Sequence, residues 1–160
     1  MSDAQPVEKA SIIVMSGDMD KVMGAFIIAT GAAAFDMQVS MFFTFWGLKA
    51  IQKGNRTGSG LMGRMLGVMN RGGIDRLGPS KFNFGGMGRW MFKKMMKAHK
   101  VTTLPQLLKQ AQELGVKLTA CEMSMNVMEI RKEDLIDGVQ IGGVASFIAD
   151  ASESKFSLFI

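Results

Sequence analysis

The seven residues Val39-Ser40-Met41-Phe42-Phe43-Thr44-Phe45 constrain this chain more than any other stretch, because they are apolar at almost every position. A strand with one face in water alternates, whereas a continuous run of this kind fits a parallel strand buried on both faces. Parallel strands need long crossover connections, usually helical, and the sequence supplies them. Ser11 to Met15 reads as a short β-branched strand stopped by Ser16-Gly17-Asp18, and Met19 to Phe35 as an Ala-rich helix, apolar nearly all round, of the kind covered on most sides by protein. Trp46 to Ile51 starts another helix. Thr103 to Leu114 reads as a helix capped by Thr103, with Pro105 in its first turn and Gly115 at its end. Val116 to Ala120 is a third strand with Cys121 at its end, Met123 to Met128 a turn or two of helix, and Val139 to Ile141 a fourth strand. Gly143 to Ala151 is a helix and Lys155 to Ile160 a last strand. Five strands alternating with helices predict an α/β fold with a parallel sheet covered on both faces. Such sheets bind and react at the C-terminal ends of their strands.

A chain of 160 residues, 48% of them hydrophobic, has the size of one compact domain, here 1–160. The pattern changes between Lys53 and Lys100, where 11 of the 19 glycines and 7 of the 16 methionines fall. This segment carries eleven Lys and Arg against the single acid Asp75, a net +10, while the rest holds eight bases and thirteen acids, a net −5. Such a split describes an acidic scaffold with a basic Gly/Met-rich insertion, not a general nucleic-acid-binding surface. Within the insertion, Leu61 to Met69 and Met87 to Ala98 have short amphipathic patterns, joined by the Gly-rich stretch Arg71 to Gly86. Methionine makes adaptable surfaces, so the insertion reads as a protein–protein interface. Its Met- and Trp-bearing basic helix, Met87 to Lys97, also suits peripheral contact with an anionic membrane.

Cys121 is the one cysteine, which excludes an intramolecular disulfide and any Cys-built metal cluster within the chain and points to a reducing, cytoplasmic setting. Met1 to Pro6 lacks a basic region followed by an apolar stretch, so no secretory signal is expected there. Val22 to Phe35 is uncharged but only 14 residues long between Lys21 and Asp36. At ~1.5 Å per residue it covers about 21 Å, short of the roughly 30 Å hydrocarbon core, so a buried helix is predicted.

Cys121 stands where a reactive group would: at a strand end and a helix start, where amides and the helix dipole favour thiolate, with Glu122 opposing. The alternative is an inert, buried small residue. His99, the one histidine, lies in the basic insertion, so a hydrolytic Cys-His pair is not evident. Gly58-Ser59-Gly60-Leu61-Met62-Gly63 matches G-x-G-x-x-G literally, yet no strand runs into it, and it reads as a flexible loop. Gly142 and Gly143 follow the fourth strand, placed either for close backbone approach to a ligand or to let a helix pack on the sheet. Ser16, Asp18 and Asp20 follow the first strand on the same edge as Cys121; they either shape a polar pocket or cap the helix, the second being the plainer duty. No metal and no cofactor is called for.

Four motifs in order give these residues a context: Ser16-Gly17-Asp18-Met19-Asp20-Lys21, Phe42-Phe43-Thr44-Phe45-Trp46-Gly47-Leu48, Ala120-Cys121-Glu122-Met123-Ser124-Met125, and Asp137-Gly138-Val139 with Gly142-Gly143-Val144-Ala145. Together they resemble the DsrE/DsrF-like sulfurtransferase family, and more closely its long-insertion DsrE-like branch, sometimes labelled peroxiredoxin family. The resemblance implies a three-layer α/β/α fold with a five-stranded parallel sheet. It implies homo- or hetero-oligomers, often trimers or hexamers, that relay sulfane sulfur as a cysteine persulfide between donor and acceptor proteins, with the reactive cysteine at Cys121. The peroxiredoxin label implies a peroxide-reducing cysteine whose usual surrounding motif is absent. The competing reading is an oligomeric binding or scaffold module with an incidental cysteine.

Overall fold

The computed structural model describes residues 7–160, so the expectation about Met1 to Pro6 lies outside the described residues. Five strands form the sheet: β1 Lys9–Val14, β2 Gln38–Phe43, β3 Lys117–Cys121, β4 Val139–Gly142 and β5 Phe156–Phe159. Their spatial order is β4-β3-β2-β1-β5, and every neighbouring pair is parallel. Six α-helices join them among the described residues: α1 Met19–Ala34, α2 Leu61–Met69, α3 Met87–Ala98, α4 Leu104–Glu113, α5 Glu122–Val127 and α6 Val144–Ser152. The architecture is the expected α/β one.

Side chains alternate across each strand, so the register divides the sheet into two faces. One face presents Ile12, Met41 and Leu118 in one row and Val14, Phe43 and Ala120 in the next. These are fully or nearly fully buried, and they pack in one core with Val22, Ala25, Phe26 and Ala29 of α1 and Leu107, Leu108 and Ala111 of α4. The α1 set recurs at i, i+3, i+4 and i+7, the spacing that gathers one side of a helix. The other face presents Ile13, Phe42 and Thr119, then Cys121, and is covered by α6 through Phe147 and Ala151. Ser11, on this second face, is fully buried and satisfies its hydroxyl on Ser40 (3.2 Å) and Ser154 (2.6 Å).

Local signals set several boundaries. Thr103 and Gln106 form a reciprocal capping box at the start of α4, and Gly115 ends that helix at φ +74°, a left-handed conformation that glycine adopts without a Cβ penalty. Two expectations need correction. The apolar segment forming α1 is buried on one side only: Ile27, Ile28 and Phe35 are exposed, because nothing beyond α4 and the sheet lies near enough to cover the outer turn. The second strand stops at Phe43, not Phe45. Thr44 N–H donates to the Val14 carbonyl, and Phe45, at φ 44°, turns the chain into the 3₁₀ helix Phe45–Ile51. Among the described residues, no helix is long and apolar enough to cross a membrane.

Candidate functional site

The connections decide where a site can form. Helices α1, α4 and α5 send their buried residues, including Met125, into the core on one face, whereas α6 covers the other. The chain therefore leaves β3 and β4 toward opposite faces, at the carboxyl edge where parallel sheets place their reactive groups. At that edge Cys121 pairs in register with Gly142.

Cys121 is both the last residue of β3 and the N-cap of α5. An N-cap side chain looks at the amides two and three residues ahead, here Met123 and Ser124. Its sulfur closes no cap hydrogen bond, so these amides act by proximity and orientation. Burial pushes the thiol up, but the Ser124 hydroxyl and amide, the Thr44 hydroxyl and the Met123 amide outweigh it, and the Cys121 pKa lies below the ordinary thiol value. Thr44 Oγ1 and Ser124 Oγ are 2.8 Å apart, and Ser124 is fully buried. Each hydroxyl has one proton, so the bond between them uses one and leaves the other to donate toward sulfur.

The thiol is not open at the sheet's edge. Cys121 is only 5% exposed and clusters with Phe42 and Phe147, whose rings lie 5.5 Å apart, with Ile13 and Ala151 at the margin. The strand-end position is the expected one, while the burial is that of the alternative, a buried small residue. Position at a strand end supplies the edge, while α6 supplies a cover that the local sequence does not announce. Thr44 and Ser124 are the site residues that sequence reasoning gave no role. Ser124 falls three residues after an N-cap, a signal that was available; Thr44 is 80 residues away from it in sequence and carried none.

The other candidates divide. Ser16 Oγ donates to Asp18 Oδ2 (3.0 Å) and accepts the Asp18 N–H (3.1 Å), and Lys21 pairs with Asp18 at 3.1 Å. Asp18 holds the N-cap position of α1 but makes no side-chain cap bond, so its expected capping duty is not performed. Ser16 and Asp18 line a cavity of about 550 Å³ with Trp46, Lys49 and residues of α2, and Cys121 is not among its lining residues. Burial holds the Lys49 ammonium pKa below its usual value, against the opposing charge of Asp18. Asp20 turns elsewhere: its carboxylate accepts the Ser80 N–H (2.8 Å) and hydroxyl (2.7 Å), tying the insertion to the start of α1.

Gly142 serves helix packing. A Cβ there would lie 2.6 Å from Ser146 Oγ and 2.9 Å from Thr119 Cγ2, so its smallness lets α6 approach β4. Gly143 is exposed, with open space beside it. In the G-x-G-x-x-G stretch, the amides of Ser59 (2.6 Å) and Gly60 (2.8 Å) and the Ser59 hydroxyl (2.9 Å) donate to Glu129 Oε2. A carboxylate of the chain itself thus occupies the position a phosphate would take. His99 stands exposed at the C-cap of α3 and is not among the groups acting on the Cys121 thiol.

Replacing Ser124 by Ala removes a hydroxyl that favours thiolate and is expected to raise the Cys121 pKa. Alkylation of the folded protein should then be slower than wild type at neutral pH, by a few-fold. A lost charge-assisted bond costs about tenfold in thiolate, and the higher intrinsic nucleophilicity of a more basic thiolate offsets about threefold of it. Well above both pKa values the order should reverse, so the two pH–rate curves cross. Superimposable curves would remove Ser124 from the site.

The fold and the site define an α/β protein that holds one cysteine at the carboxyl edge of a five-stranded parallel sheet. The sequence matches the model of the DsrE/DsrF/DrsH-like family over residues 6–159, and the chain belongs to that family. It is 46% identical over 158 residues to the uncharacterized protein YrkE of Bacillus subtilis, covering 98% of this chain and 99% of the relative. It is 34% identical over 157 residues to the sulfur carrier protein DsrE2 of Allochromatium vinosum, covering 96% and 98%. Among solved structures, the ychN protein of E. coli superposes with a TM-score of 0.57 at 13% identity, covering 96% of this chain and all of that one. The MTH1491 protein of Methanobacterium thermoautotrophicum gives 0.54 at 10% identity, covering 96% and 99%. These two share the fold.

Proposed function

We propose that the chain is a sulfur carrier that holds sulfane sulfur as a persulfide on Cys121 and passes it between proteins. The observation that carries this reading is the Thr44–Ser124 hydroxyl pair beside a cysteine that no other thiol in the chain can reach. The family, and the name of the Allochromatium relative, support the same direction. In the loading step, the Cys121 thiolate attacks the outer sulfur of a donor persulfide. The donor's S–S bond breaks, the donor thiolate leaves, and Cys121 gains an S–S bond with no net oxidation. In release, an acceptor thiolate attacks the outer sulfur and Cys121 leaves as thiolate, a departure favoured by its depressed pKa. Donor and acceptor must lie on other molecules, and a reducing compartment such as the cytoplasm suits the chemistry.

The whole chain acts as one unit in this reading, with 53–100 as its insertion. A trimer or hexamer suits the exposed apolar residues Val144, Ile148 and Phe159 on the cysteine side of the sheet; light scattering that returned the mass of one chain would remove it. Loading itself is tested by intact mass. After incubation with a persulfidated donor protein the folded chain should gain one sulfur, and Cys121→Ser should gain none. A wild-type chain that stays unmodified refutes the carrier.

A further inference from the structure

The two long helices of the insertion are mounted inside out. On a surface helix the apolar side normally faces the protein and the charged side faces water. In α2 the buried residues are Gly63 and Gly67, while Leu61 is 86% and Met69 is 80% exposed, with Met62, Met65 and Val68 also outside. In α3 the single buried residue is Gly88, and Met87, Trp90, Met91 and Met95 are exposed. Two cations of α3 turn toward the body instead: Arg89 donates to the Arg76 carbonyl (2.8 Å) and Lys93 to the Asp75 carbonyl (2.7 Å). Lys94, Lys97 and, just past the helix, Lys100 are exposed, the last two beside a cavity of about 550 Å³ at the start of α4.

Glycine enforces this orientation. A Cβ on Gly63 would lie 2.2 Å from Glu129 Oε2, one on Gly67 2.2 Å from the Thr57 carbonyl oxygen, and one on Gly88 2.2 Å from the Phe82 carbonyl oxygen. Gly67 and Gly88 abut backbone of the insertion's own loops, where a larger residue has no room, and Leu66 is the one large side chain of α2 packed against the core, so the Met, Leu61 and Trp90 side chains are left outside.

Charge says what can cover them. No Asp or Glu stands between Asp75 and Glu113, and of the eleven cations in 53–100 only Lys53 enters an ion pair among the described residues. A second copy would bring another +10 segment against the first, which disfavours pairing through this surface. Protein–protein interfaces are depleted in lysine, whereas lysines beside an apolar helix face strengthen adsorption to anionic lipid. Lys94 stands between Trp90 and Met91 on that side of α3, and its Nζ lies 5.3 Å from the Trp90 ring, a pairing of amphipathic residues whose charged end can reach up to the headgroup level. We infer that the insertion is a docking surface for an anionic lipid bilayer, with the outer sides of α2 and α3 seated among the acyl chains and Lys94, Lys97 and Lys100 near lipid phosphates.

The full chain should sediment with vesicles of phosphatidylcholine mixed with phosphatidylglycerol at low salt, and little with pure phosphatidylcholine. Met91→Glu combined with Met95→Glu should lower the partition coefficient by about tenfold or more, since each lost apolar anchor is replaced by a charge. Leu61→Glu with Met65→Glu should act alike. These positions are exposed, so circular dichroism of both variants should match wild type. Lys94→Gln with Lys97→Gln should weaken binding by roughly fivefold per lysine and flatten its salt dependence. The inference is overturned by absence of binding to the anionic vesicles, by equal binding to neutral ones, or by indifference to both apolar double variants. It is equally overturned if light scattering shows a larger assembly that the Met91/Met95 variant reduces to one chain, because a second copy is then the cover.

Discussion

Gly47→Ala is expected to destabilise the chain by about 3 kcal/mol or more and to lower its melting temperature by roughly 10 °C. A Cβ at this position would lie 2.0 Å from the Val14 carbonyl oxygen and 2.7 Å from its carbon, both backbone atoms at the end of β1. The Gly47 N–H donates to Met15 (2.8 Å) and the Thr44 N–H to that same Val14 carbonyl (3.0 Å), so neither side can retreat without losing a hydrogen bond. The same Val14 carbonyl thus ties this contact to Thr44, whose hydroxyl meets Ser124. Thermal melting reads the stability, and the Cys121 alkylation rate reads whether the site moves with it. A melting temperature within a degree or two of wild type would mean that the 3₁₀ helix does not sit this close to β1.

Phe147→Ala has the largest expected effect on the thiol itself. Phe147 is buried, stacks near Phe42, and belongs with Cys121 to the small apolar cluster under α6. Truncation should cost about 3 kcal/mol of stability, as other buried Phe→Ala changes do. If about half of that loss lowers the local cost of exposing Cys121, alkylation under native conditions should rise by about tenfold. Wild-type labelling should be slow for a cysteine with a depressed pKa, because the cover lowers the rate at every pH while ionisation sets the shape of the pH profile. An unchanged labelling rate in a destabilised Phe147→Ala chain would show that the sulfur is reached by another route.

Much of the fold is legible in local pattern. The strand cores, the limits of α2 and α3, the Thr103 cap and the Gly115 stop all follow from runs, spacings and single turn residues that act on near neighbours. The placing of Cys121 at a strand end follows too. What escapes depends on distant partners. The cover over Cys121 comes from Phe147, the hydroxyl beside it from Thr44, and Asp20 is claimed by Ser80 across 60 residues. Apolar content alone misleads twice. It suggested that α1 is covered on most sides, and it gave no sign that the glycine sides of α2 and α3 would pack inward and leave methionines outside. In each case the residue's own chemistry is plain and its neighbours are not.

Transfer through Cys121 is tested most directly by following one sulfur atom through the folded chain. Protein loaded from a persulfidated donor, freed of it and then mixed with an acceptor thiol protein should lose the added sulfur as the acceptor gains it, both read by intact mass. Cys121→Ser should pass nothing. Sulfur that stays on the chain in the presence of acceptor, or that reaches the acceptor equally well through the Cys121→Ser variant, would contradict the carrier role.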